Sequence, residues 1–136
     1  MAESSAHKKL IEFMVLRIND MVPKKNGILM VDSEDTPLPI SVNGGIFPDA
    51  YYCDGDVLIL GEAKTINDVD RKHSLHQYEK YIETIESFEG LGIFVLCVHW
   101  DTFLMAQKII RRMLPENRVG TYIILSSNGK EAVLWA

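Results

Sequence analysis

The chain holds little cysteine, no long apolar run and no surplus of positive charge, and each shortage narrows what it can be. Its two cysteines, Cys53 and Cys97, lie in strand-like runs with no partner at metal-ligand spacing. Both read as small buried apolar residues, and a zinc site is not expected. No stretch has the length and apolarity of a transmembrane helix. The N-terminal MAESSAHKKLIEF lacks the basic start, apolar centre and small-residue cleavage site of a signal peptide. The expectation is therefore a cytoplasmic chain with no membrane partner. A net charge of −5 at pH 7 argues against a protein that coats nucleic acid indiscriminately, because phosphate neutralisation needs a basic surface. It leaves room for an enzyme that meets phosphates through divalent cations and a few local bases. Lys8-Lys9, Lys24-Lys25, Arg71-Lys72 and Arg111-Arg112 are such pairs, each read first as a solvated face. P-loop, nucleophile-elbow and dinucleotide glycine patterns are missing too, and Gly44-Gly45 is a turn because no helix follows it.

What is present suits one globular domain over residues 1–136, with 47% hydrophobic and 24% charged residues. Leu10, Met14 and Ile18 form an apolar stripe at helical period, which predicts a helix over 5–21 capped by Ser4 or Ser5 and ended by Pro23 and Asn26-Gly27. Short extended pieces are expected at 28–31 and 40–42, then strands at 46–53 and 57–64. Asp54-Gly55-Asp56 between the last two is a hairpin signal, so its acids read as turn residues. Leu75, Tyr78, Ile82 and Ile85 predict a helix over 70–88. The run Gly92 to Val98 reads as a central strand covered on both faces. A helix over 101–114, capped by Asp101 or Thr102, a strand at 119–126 and a short strand at 132–135 complete an α/β chain with a mixed sheet flanked by helices. Trp100 and Trp135 read as packing residues, His99 as structural.

One stretch, Pro48 to Lys64 (PDAYYCDGDVLILGEAK), carries charges that packing does not explain. Along an extended strand alternate side chains share a face, so Glu62 and Lys64 point one way and Gly61 and Ala63 the other. Counted outward from Gly55, Asp49 lies nearly level with Glu62. Two carboxylates and a lysine at one point suit a hard divalent cation, which takes one or two carboxylates, waters and substrate phosphate oxygens. The main-chain carbonyl of Ala63 is a candidate further ligand. Such an ion activates water and stabilises charge on a phosphoryl transition state.

Pro48-Asp49 followed after a hairpin by Glu62-Ala63-Lys64 resembles the PD-(D/E)XK, or restriction-endonuclease-like, nuclease superfamily. The resemblance implies an αβββαβ core, here with an extra C-terminal helix and strands. Gln77 and Tyr81, four apart on the next helix, are similar to the Q-x-x-x-Y element of RecB-like members, and with His73 they form a polar stripe. It implies a metal-dependent nuclease, endo- or exonuclease: Asp49, Glu62, the Ala63 carbonyl and, from the first helix, Glu12 at Mg²⁺ or Mn²⁺; Lys64 at the water or phosphate; His73, Gln77 and Tyr81 at the substrate. DNA is favoured over RNA. A chain this short would take its target choice from dimerisation, a partner protein or DNA structure. The competing expectation is a catalytically inactive binding or inhibitory module on the same fold, for example in phage–host conflict.

Overall fold

The structure, a computed structural model, describes residues 4–22, 27–32, 41–42 and 45–134. The readings made above for residues 23–26, 33–40, 43–44 and Trp135 lie outside these. Helix α1 (Ser5–Met21) precedes three strands, β1 (Met30–Val31), β2 (Ala50–Cys53) and β3 (Val57–Lys64). Helix α2 (Lys72–Ser87), strand β4 (Leu91–Val98), helix α3 (Phe103–Met113) and strands β5 (Thr121–Ser126) and β6 (Glu131–Leu134) follow. The six strands form one sheet in chain order. β1–β2–β3 is an antiparallel meander, β3, β4 and β5 are parallel, and β6 returns antiparallel. The parallel strands require crossovers, which α2 and α3 supply. The α/β class with a mixed, helix-flanked sheet is thus observed.

Alternation along β3 and β4 feeds two cores. Ile59, Ala63, Val95 and Cys97 pack with Leu10, Met14 and Ile18 of α1. Leu58, Leu60, Phe94 and Leu96 pack on the other face with Tyr78, Tyr81 and Ile82 of α2 and Ala106 and Ile110 of α3. Gly61 lets α1 approach, since a Cβ there would stand 3.0 Å from Met14 Sδ and Ile18 Cδ1. Burial drives the Cys97 thiol up to about 12, so it stays protonated and inert. Cys97 is buried as expected, while Cys53 is half-buried.

The expected caps and turns differ in detail. Ser4 Oγ accepts the His7 N–H at 3.1 Å, which fixes the first turn of α1. We expect Ser4→Ala to cost about 1 kcal/mol, measured by denaturant unfolding. Gly55 takes φ 94° in the hairpin turn. Asp54 accepts the N–H groups of Asp56 and Val57 and the Tyr52 hydroxyl, so it is a turn residue, as the Asp-Gly signal implies. α2 starts at Lys72 rather than Asp70 because 66–70 is a run of turns, tied by Thr65 Oγ1 donating to Asp68 at 3.2 Å. α3 starts at Phe103, behind a 3₁₀ turn over Trp100–Thr102. His99 Nδ1 accepts the Asp101 N–H that opens this turn, which is a structural role. Trp100 does not pack inward but is 55% exposed, because the same turn carries it beyond the carboxyl end of β4.

Candidate active site

The β2–β3 register places Asp49. Ala50 pairs with Gly61 and Cys53 with Leu58, so the hairpin pivots between Gly55 and Asp56 rather than on Gly55. Extended by one residue, this register sets Asp49 opposite Glu62. Pro48 has no N–H to offer the Ala63 carbonyl, and the Ala63 N–H donates to Asp49 Oδ2 at 2.9 Å. The Asp49 carbonyl accepts the Asp32 N–H at 2.8 Å. The backbone and the carboxylate of Asp49 are thus each anchored at the end of the sheet.

Glu62 and Lys64 share the face that meets α2. Lys64 Nζ lies 3.2 Å from Glu62 Oε2 and donates to Gln77 Oε1 at 2.5 Å. Tyr81 donates its hydroxyl to Glu62 Oε1 at 2.8 Å, with the Phe47 carbonyl at 3.3 Å. A rise of about 6 Å over four helical residues matches about 6.6 Å over two strand residues. The Gln77/Tyr81 pair can therefore grip the Lys64/Glu62 pair side by side. These are buried groups: Glu62 is 4% exposed, Lys64 7%, Asp49 8% and Tyr81 0%.

Two carboxylates face one ammonium here. Burial, and then the charge of Asp49, push the Glu62 carboxyl up to about 8, against the opposing pull of Lys64 and the Tyr81 hydroxyl. Burial and the Glu62 charge raise the Tyr81 phenol, so it remains a donor. Two acidic groups therefore compete for one ammonium, and Glu62 keeps its proton up to about 8.

Sequence patterns alone do not single out His7. Its Nε2 lies 3.1 Å from the Ala63 carbonyl oxygen and 3.3 Å from Asp49 Oδ2. His7 stands at helical spacing with Leu10, Ile11, Met14 and Ile18, so it continues the buried stripe of α1 toward the sheet end. That extension of the stripe is the available signal. Glu12, expected from the first helix, is exposed. It lies well round the helix from the buried Leu10, Met14 and Ile18, so α1 does not bring it to the group. His73 is exposed in the first turn of α2, one turn before Gln77.

Among the described residues no three His, Cys, Asp or Glu side chains gather closely enough to form a ready-made cation cage. No described helix is long and apolar enough to cross a membrane. No family model, curated protein or solved structure matches the chain.

Proposed function

We propose that the chain is a divalent-metal-dependent phosphodiesterase of the PD-(D/E)XK kind acting on nucleic acid, with DNA favoured. The observation that carries this reading is the double grip of α2 on β3: Gln77 on Lys64 and Tyr81 on Glu62, with Asp49 level with Glu62. Surface charges at a strand end would have no need of burial or of matched partners one turn apart.

The groups that would hold Mg²⁺ or Mn²⁺ are Asp49, Glu62 and the Ala63 carbonyl, with His7 Nε2 a further donor to Mn²⁺. Their fit rests on two observations. His7 Nε2 stands 3.1 and 3.3 Å from the Ala63 and Asp49 oxygens, so a nitrogen and two oxygens meet at the end of β3. Burial and the Asp49 charge also hold the Glu62 proton up to about 8, a bias that a bound cation would reverse. When bound, such a cation lowers the pKa of water and neutralises phosphate charge. Lys64 would orient the attacking water or meet a phosphate oxygen. Gln77 aims the Lys64 ammonium, and Tyr81 fixes the rotamer of Glu62. His7→Asn is expected to weaken Mn²⁺ binding on the order of tenfold, read by calorimetry.

The second reading, an inactive binding module, is favoured by the engagement of both Glu62 oxygens with Lys64 and Tyr81. Supercoiled plasmid, branched DNA and RNA, each with Mg²⁺, Mn²⁺ or chelator, separate the two. The phosphodiesterase cuts with metal alone and loses activity in Glu62→Ala and Lys64→Ala. Cleavage that survives chelator or both substitutions sinks the mechanism, and silence on every substrate moves the assignment to the module.

A further inference from the structure

Beside the site, across the first turn of α1, lies an open cavity of about 540 Å³. Its floor is made by the chain leaving the carboxyl ends of β3, β4 and β5, the position where open α/β sheets bind ligands. Ala6, Lys9 and Phe13 of α1 form one wall, and Ile66, Asn67 and His99 face them. The cavity adjoins the site along the chain, for Thr65, which also lines it, follows Lys64, and Ala6 precedes His7. Hydrolysis of a phosphodiester needs no apolar recess, yet this one exposes Ile66 to 46% beside the Phe13 ring. Its polar groups are suited to a nucleotide. Lys9 offers a charge for a flanking phosphate, and Asn67 offers an amide for a base edge. The bond from the Asp101 N–H to His99 Nδ1 at 3.1 Å fixes the imidazole at the rim, next to the exposed Trp100 ring, 5.1 Å away between centroids.

We propose that this cavity receives the base of an unpaired nucleotide next to the scissile phosphate, so that the substrate is a single-stranded or frayed strand rather than a continuous duplex. The inference rests on the phosphodiesterase reading and narrows its substrate. A base inside a duplex is stacked and cannot enter a recess, whereas an unpaired base presents both faces to apolar and aromatic walls. The size lies within the roughly 300–1,000 Å³ of small-ligand sites.

The test is binding, kept apart from cleavage by supplying Ca²⁺. Short single strands of DNA and of RNA, each with one abasic residue moved along its length, are titrated by fluorescence anisotropy. In the wild type, loss of the base at one position should weaken binding about tenfold, and a blunt duplex should bind more weakly than the single strand. Ala6→Trp, which fills the cavity, should abolish that positional sensitivity. Ile66→Ala on the exposed loop should reduce it, and serves if Ala6→Trp fails to fold by thermal melting. The DNA and RNA arms show which sugar is preferred. No sensitive position, sensitivity unchanged in both variants, duplex bound as tightly as single strand, or no strand bound at all would overturn the proposal. Metal-dependent cleavage without base sensitivity removes the cavity and leaves the phosphodiesterase standing. Base-sensitive binding without cleavage does the reverse.

Discussion

Glu62→Gln is expected to lower metal-dependent hydrolysis by on the order of a thousandfold and, in the same protein, to flatten the pH dependence of stability. On the phosphodiesterase reading, the first effect follows from removing a carboxyl that would hold the cation at a water-excluded centre, where preorganised electrostatics contributes most to the rate. The second follows from burial. The Glu62 carboxyl titrates near 4.5 in the unfolded chain and at about 8 in the fold. Between those values the folded protein holds a proton that the unfolded chain has released. Stability is therefore full below the unfolded value, falls as pH rises through the window, and levels off above about 8. The total loss is several kcal/mol. The glutamine amide cannot titrate, so unfolding midpoints of the variant measured from about pH 5 to about pH 8 should vary less than in the wild type. Divalent metal should stabilise the wild type most at the upper end of that range, where Glu62 ionises and the cation offsets its charge. Equal slopes in both proteins would mean that Glu62 is ionised throughout, and the electrostatic account of the site would fail.

Much of this is legible in the residues because local pattern and tertiary context agree. The alternation of Val57 to Lys64 specifies the two faces of β3, and Asp-Gly specifies the hairpin that brings Asp49 back to it. The Gln77 and Tyr81 spacing picks out the partners of Lys64 and Glu62. What the pattern hides is decided by contacts remote in sequence. Residues 46–49 are expected to extend β2, but Pro48 cannot donate, and the Asp49 side chain takes the Ala63 N–H instead. Tyr81 reads as part of a polar stripe yet is wholly buried, because its ring packs with Phe94 at 5.3 Å while its hydroxyl reaches Glu62. A histidine near a chain start, such as His7, gives no periodic signal of its own. Only the continuation of the α1 stripe places it at Asp49, 42 residues away in sequence. Arg17, which falls within the spacing of that stripe, instead pairs with Glu131 at the start of β6, a partly exposed contact of small energetic weight.

Lys64→Met is expected to destabilise the fold by about 3–5 kcal/mol at about pH 8, more than any other single change considered. The ammonium is buried between Glu62 Oε2 and Gln77 Oε1. A methionine fills similar volume but leaves the Glu62 carboxylate facing Asp49 with only the Tyr81 hydroxyl to balance it. Removing one partner of a buried pair costs far more than replacing both, since an uncompensated charge stays behind. The expected coupling is therefore large. Glu62→Gln combined with Lys64→Met should recover most of the stability lost in Lys64→Met alone, while hydrolysis stays absent. A double-mutant cycle by denaturant unfolding reads the interaction directly. The loss in Lys64→Met should also shrink toward about pH 5, where a protonated Glu62 no longer needs the ammonium. An additive cycle would show that Lys64 and Glu62 act independently, and the pairing that organises this site would then have no energetic basis.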